Sequence, residues 1–310
     1  MPQGTKARTG NQHTAARWAA FLRKSGHRVA VADAWEGGKE DLLIALHARK
    51  SAASVVAFHR AYPDRPLIVA LTGTDLYRDI DTSAEARDAM EVATRLIVLQ
   101  PAGLDRLARP LRAKTHVVFQ SSDTRLAHQP PKDRFRVIVV GNLREEKDPF
   151  RAAAALAHLP QDPRIEVVQV GAALSDEMAA TAAGWVAREP RYRWVGGRSH
   201  GEALRAMAQS HLLVVSSVME GGANVICEAA RIGVPVLASK VSGNVGMLGA
   251  GYRGYFPLGD ERRLARLVGR AAADRAFYRA LKDAVRARRG LFAPAAERRA
   301  LVAVVERAMA

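Results

Sequence analysis

The sequence predicts an α/β protein made of two doubly wound domains, and two observations carry that reading. Strand-length apolar runs alternate with helical segments over most of the 310 residues, the pattern of parallel sheets covered by helices. The texture breaks once, between residues 121 and 134, in a polar stretch that holds Pro130-Pro131, and such a stretch marks a domain boundary. A chain of 310 residues also suits two domains. We place them at 1–130 and 131–290, with 291–310 as a C-terminal helix expected to return to the first domain.

The first domain reads as a helix over 14–24 and strands over 28–32, 42–46, 67–71, 96–99 and 117–119, with helices over 51–61 and 85–93. The second has strands over 136–140, 165–170, 192–195, 212–215 and 236–238. The stretch 261–309 is helical, interrupted at Gly290 and Pro294. A doubly wound domain normally opens with a strand and then a glycine loop. Here the chain begins inside that loop, at Gly10-Asn11-Gln12-His13-Thr14. We therefore expect the first strand of this domain to be missing, with the true start upstream or a sheet that manages without it.

Composition narrows the function. Lys and Arg outnumber Asp and Glu by 47 to 31, a net charge of +16, which favours anionic partners. The arginines are spread along the chain, and at 6% aromatic residues no base-stacking platform is visible, so no specific nucleic-acid partner is expected. The pairs Arg262-Arg263 and Arg298-Arg299 read as solvated helix faces. A single cysteine, Cys227, excludes a disulfide framework and reads as a core residue of a cytoplasmic protein. No run of about 18 apolar residues is present, so no membrane span is expected, only weak peripheral contact. The opening residues 1–6 lack the apolar core of a signal peptide.

Chemical character gathers directly after the predicted strands, where α/β domains bind ligands. The run Glu220-Gly221-Gly222-Ala223-Asn224-Val225-Ile226-Cys227-Glu228 reads as strand end, tight turn and helix start. The helix opening suits a phosphate. Ionised carboxylates at Glu220 and Glu228 accept paired hydrogen bonds, as from vicinal hydroxyls. Sugar, phosphate and ribose in a row describe a nucleotide sugar; a capped surface turn has the same spacing. Gly141-Asn142-Leu143-Arg144-Glu145-Glu146-Lys147-Asp148-Pro149 offers a sharp exit at Gly141. Arg144 and Lys147 suit a phosphate, with Asp148 as N-cap and Pro149 as first helical residue; an ordinary charged loop reads the same. His47 and Arg49 end one strand, and Thr72-Gly73-Thr74-Asp75 end another. His47 suits a proton handler or phosphate ligand; Thr74 and Asp75 suit an acceptor or a capped turn. Gln100 and Gln120 also follow strands, and the amides of 10–14 suit an anion. No His, Cys, Asp or Glu set has metal spacing, and there is no Gly-x-Ser-x-Gly elbow.

Gly-x-Leu-x-x-x-Lys at 141–147 and Glu-x7-Glu at 220–228 together resemble the second domain of GT-B glycosyltransferases of family 4. The resemblance implies two Rossmann-like domains facing a central cleft. It implies a donor site of Gly141, Asn142, Arg144, Lys147, Glu220, Gly221, Gly222, Ala223, Asn224 and Glu228. In it Arg144 and Lys147 bind the diphosphate, Glu220 the sugar hydroxyls, the amides of 221–224 the phosphate and sugar, and Glu228 the ribose. Four further segments resemble the selenosugar synthases of selenoneine biosynthesis: Gly10-Asn11-Gln12-His13-Thr14-Ala15-Ala16-Arg17-Trp18, Leu43-Ile44-Ala45-Leu46-His47-Ala48-Arg49, Leu71-Thr72-Gly73-Thr74-Asp75-Leu76-Tyr77 and Val98-Leu99-Gln100-Pro101. That resemblance implies transfer of N-acetylglucosamine from UDP-N-acetylglucosamine to selenophosphate, releasing UDP and phosphate, with no metal and no cofactor. Glu220, Lys147, Arg144 and His47 are then the expected catalytic groups. Gly10, Asn11, Thr14, His47, Arg49, Thr72, Gly73, Thr74, Asp75 and Gln120 are the expected acceptor site. The alternatives are a family 4 enzyme acting on a lipid or other ordinary acceptor at a membrane surface, a nucleic-acid binder, and a nucleotide-sugar epimerase.

Overall fold

The computed structural model describes residues 10–162 and 164–310; the stretch 1–6 read for a leader lies outside them. The chain forms two compact units. One comprises the described residues through Ser121 together with Glu220–Asn224 and Ala293–Ala310, the other Ser122–Met219 with Val225–Phe292.

In the first unit, β1 (Leu43–Leu46), β2 (Leu67–Leu71), β3 (Arg95–Val98) and β4 (Thr115–Val117) form a parallel sheet in that order. β2 is buried along its whole length, and its unbroken run Leu-Ile-Val-Ala-Leu is what a strand covered on both faces requires. Successive side chains point to opposite faces. Leu67, Val69 and Leu71 pack with Val55, Phe58 and Met90 of helices Ala52–Ala61 and Ala84–Val92. Ile68 and Ala70 pack with Trp18, Leu22, Leu301 and Val304 of helices Gly10–Lys24 and Pro294–Met309. Glu297, 1% exposed, ties this second face together. It accepts from Arg17 Nε at 2.8 Å, Arg17 Nη2 at 3.1 Å, Trp18 Nε1 at 2.7 Å and Ser121 Oγ at 2.5 Å. A buried carboxylate is tolerated when so fully paired.

Two expectations for this unit are corrected. Residues 28–32 carry no strand assignment, and Val31 is 48% exposed; the apolar run is present, but of its side chains only Val29 is partly buried. The expected glycine loop at 10–14 is the opening turn of the first helix, in which Thr14 Oγ1 donates to the Gly10 carbonyl at 3.0 Å.

In the second unit, β5 (Phe135–Val140), β6 (Ile165–Val170), β7 (Tyr192–Trp194), β8 (Leu212–Val215), β9 (Val236–Ser239) and β10 (Tyr255–Phe256) form a parallel sheet in the order β10-β9-β8-β5-β6-β7. The direction of winding reverses between β5 and β8, and loops leaving two such strands diverge and open a crevice at their carboxyl ends. β10 was not expected; two residues are too short to leave a pattern. The C-terminal helical region breaks at Asp274 as well as near Gly290. There Asp274 Oδ1 accepts from Ala276 N at 2.9 Å and Phe277 N at 3.0 Å, capping helix Arg275–Ala287.

The same unit half-buries two imidazoles. His211 stacks on Phe135 with ring centroids 4.6 Å apart, and its Nδ1 accepts from Arg136 N at 3.1 Å. His128 Nε2 donates to the Ser210 carbonyl at 2.8 Å. Burial pushes each down to about 4. The unfolded chain takes up these protons near pH 6.5, so below that value it binds more protons than the folded chain, and stability falls with pH. We predict a urea midpoint that declines as pH drops from about 6.5 toward 4. An unchanged midpoint across that window would contradict this account of the two histidines.

Candidate functional site

In the second unit, the loops after β5 and β8 occupy the switch point. Gly141 has φ +154°. Its carbonyl would lie 1.8 Å from a Cβ at Gly171, so Gly171, after β6, is what lets the loop pass. Leu143 is fully buried and anchors the loop, its N–H donating to the Ala172 carbonyl at 2.8 Å. Asn142 Oδ1 accepts from Ala172 N at 3.3 Å. Arg144 is exposed and makes no ion pair among the described residues. Glu145–Lys147 form a 3₁₀ turn ended by Asp148 at φ 43°. Asp148 is therefore not the N-cap expected, and the next helix is Arg151–Leu156. Its carboxylate holds Arg151 Nε at 2.8 Å instead. Ser216 Oγ donates to the Asp148 carbonyl at 2.7 Å, and Val218 N to the Glu146 carbonyl at 2.9 Å, stitching the two loops together. Glu228 lies one turn inside helix Asn224–Ile232. Its Oε1 accepts from Nε2 of His200 at 2.8 Å.

Glu220–Asn224 groups with the first unit. Glu220 is 7% exposed. A Cβ at Gly221 would lie 2.3 Å from the Thr72 carbonyl oxygen, and one at Gly222 2.7 Å from Leu99 Cβ. The close approach that these two glycines permit is to the chain's own loops after β2 and β3.

The loops after β1 and β2 form one cluster in that unit. His47 has φ 78°, uncommon for a non-glycine residue, and is pinned by its N–H to the Ala70 carbonyl at 2.8 Å. Its Nδ1 lies 3.4 Å from Lys50 N and its Nε2 2.9 Å from Thr74 Oγ1. With Nδ1 accepting, Nε2 carries the proton and donates. Burial pushes His47 below its ordinary value against the pull of Asp75, so it is neutral. Asp75 is fully buried. Its carboxylate accepts from the N–H groups of Thr72 at 2.9 Å, Gly73 at 2.8 Å and Ala48 at 3.0 Å, so it shapes both loops. Asp79 was missed by sequence reading. It lies 3.9 Å from His47 Nε2 and accepts from Arg49 Nε at 2.8 Å. Burial acts to raise Asp79, but hydrogen bonds from Arg49 and Arg78 hold it below the usual carboxylate range. Gln120 Nε2 donates to Thr14 Oγ1 at 2.6 Å, and Gln100 Nε2 to Tyr77 Oη at 2.7 Å. Among the described residues no group of three or more His, Cys, Asp or Glu is placed to hold a metal ion, and no helix is long and apolar enough to cross a membrane.

The family model described as Glycosyl transferases group 1 matches residues 120–288, more than half of the chain. Solved structures with the same fold include HepE from Anabaena in complex with UDP and glucose. Its TM-score is 0.72 at 21% identity, over 86% of this chain and 78% of that one. Sucrose-phosphate synthase from Thermosynechococcus elongatus gives 0.71 at 21% identity, over 86% and 73%. The pneumococcal O-GlcNAc transferase GtfA in complex with UDP and GlcNAc gives 0.70 at 16% identity, over 95% and 60%. The architecture of two parallel-sheet α/β domains is GT-B.

An amide at position 75 keeps one acceptor oxygen where three N–H groups converge. We expect Asp75→Asn to lower stability by about 1–3 kcal/mol and to speed amide exchange at Thr72 and Gly73. Unchanged exchange there would show that Asp75 does not set the loop.

Proposed function

The chain belongs to the group 1 glycosyl transferases, and from that premise we propose that it transfers N-acetylglucosamine from UDP-N-acetylglucosamine to selenophosphate. A carbon–selenium bond forms as the anomeric C–O bond to UDP breaks, and water then cleaves the selenium–phosphorus bond to release phosphate and leave a sugar selenol. The observation that carries the donor half is the stitching of the 141–147 loop to the loop after β8 at the switch point, where α/β sheets bind nucleotides. HepE and GtfA, which share the fold, have been solved with UDP and a sugar. The acceptor half rests on the resemblance in the segments around Trp18, His47, Thr74 and Gln100, three of which follow strands of one sheet.

Arg144 and Lys147 hold the diphosphate and stabilise it as it departs. Glu220 accepts from the sugar hydroxyls, the amides of 221–224 meet phosphate and sugar, and Glu228 accepts from the ribose. His47, neutral, donates to an oxyanion of the acceptor through Nε2 after parting from Thr74, while Asp75 holds the loop rather than the acceptor. Selenophosphate is already anionic and its selenium soft, so no strong general base is required. The work is then the positioning of two anions, without metal.

A second reading, a family 4 enzyme working at a membrane surface, has one observation in its favour. An open groove of about 500 Å³ in the first unit is lined by Lys24, Arg298 and Arg299, with Glu306 as its acidic member. Strong pelleting with anionic vesicles would favour it.

Mass spectrometry of enzyme, UDP-N-acetylglucosamine and freshly generated selenophosphate should show a selenium isotope pattern on an N-acetylhexosamine. UDP release without it would remove the acceptor assignment, and no donor turnover would remove the whole reading. Glu228→Ala should raise the donor KM about tenfold, and Lys147→Ala should lower kcat about 10²-fold. His47→Ala should raise the selenophosphate requirement.

A further inference from the structure

We infer that His200 is a positioning residue for ribose recognition, holding the carboxylate of Glu228 in the orientation that reads the 2′-hydroxyl. The inference rests on Glu228 being the ribose ligand. His200 Nε2 donates to Glu228 Oε1 at 2.8 Å, while Oε2 makes no hydrogen bond among the described residues and is open to a ligand hydroxyl.

Both partners sit on elements that hold still. His200 opens helix His200–Ala208, whose N-terminus is locked by a capping box. Ser199 Oγ accepts from Glu202 N at 3.3 Å, and Glu202 Oε2 accepts from Ser199 N at 2.9 Å. Gly196, at φ +71°, turns the chain from β7 toward that helix. On the other side, Ile226, Cys227, Ala229 and Ala230 around Glu228 are fully buried, so helix Asn224–Ile232 cannot roll. What remains free is rotation of the glutamate's own torsions. A charge-assisted hydrogen bond removes that freedom, and a carboxylate fixed before binding loses less entropy when a hydroxyl arrives.

The side chains differ in access. That of Glu228 is 12% exposed and that of His200 54% exposed. The imidazole is on the solvent side of the pair and the carboxylate is recessed. A ribose can then meet Oε2 while His200 stays on Oε1. The histidine reaches the ligand through the carboxylate, so its loss should be felt where the carboxylate touches the ribose.

The test is calorimetric titration of the intact protein with UDP and with 2′-deoxy-UDP. The native protein should prefer UDP. His200→Ala should weaken UDP about tenfold, leave 2′-deoxy-UDP nearly unchanged, and raise the donor KM with kcat kept. His200→Gln, which keeps an N–H donor, should restore most of the preference. In a Glu228→Ala background, His200→Ala should have no further effect. Equal weakening of both nucleotides by His200→Ala, or a preference left intact, would overturn the role of His200 while the donor site stands. A native protein that binds no UDP, or a preference that survives Glu228→Ala, would overturn the reading of Glu228 and this inference with it.

Discussion

Hydrogen bonds join the loops that leave β5 and β8, among them Ser216 Oγ to the Asp148 carbonyl and Val218 N to the Glu146 carbonyl. The strand order makes them necessary. With β5 between β8 and β6, the chain winds one way from β5 and the other way from β8, so their loops separate and expose backbone at the strand ends. Exposed backbone must be paired or solvated, and these bonds pair part of it across the gap. They also set the height of the 141–147 loop above the sheet. Gly171 has no Cβ because the Gly141 carbonyl lies where one would be. Arg144 and Lys147 are thus carried on a loop anchored by buried Leu143 and tied at its far end.

The first unit solves a similar problem with one carboxylate. Asp75 gathers N–H groups from Thr72, Gly73 and Ala48 and so joins the loops after two neighbouring strands. His47 is left in a positive-φ conformation with its ring between Thr74 and Asp79. Conformations of this kind cost about 1–3 kcal/mol and persist where the surroundings enforce them. Here the enforcement comes from the His47 N–H bond to Ala70 and from the Asp75 clamp.

The strands were legible because parallel strands are buried on both faces and read as apolar runs; those at 67–71, 165–170 and 212–215 agree with the sequence reading to the residue. The run at 28–32 has the same texture but is not buried, and texture alone does not report burial. Donor candidates were legible as spacing, since Glu220 and Glu228 flank one turn. Gly171, Ser216, Asp79 and His200 were not. Each acts through a contact between residues distant in sequence, and no local periodicity encodes such a pair. Asp148 misled because Asp before Pro resembles a helix cap, whereas the chain needs a left-handed residue there to turn back toward Arg151.

Hydrogen exchange with and without UDP tests the central claim most directly. Added nucleotide should protect the amides of the 141–147 loop and of the opening turn of helix Asn224–Ile232. Protection confined to other segments, or none at saturating UDP, would contradict a nucleotide site at the switch point of the second sheet.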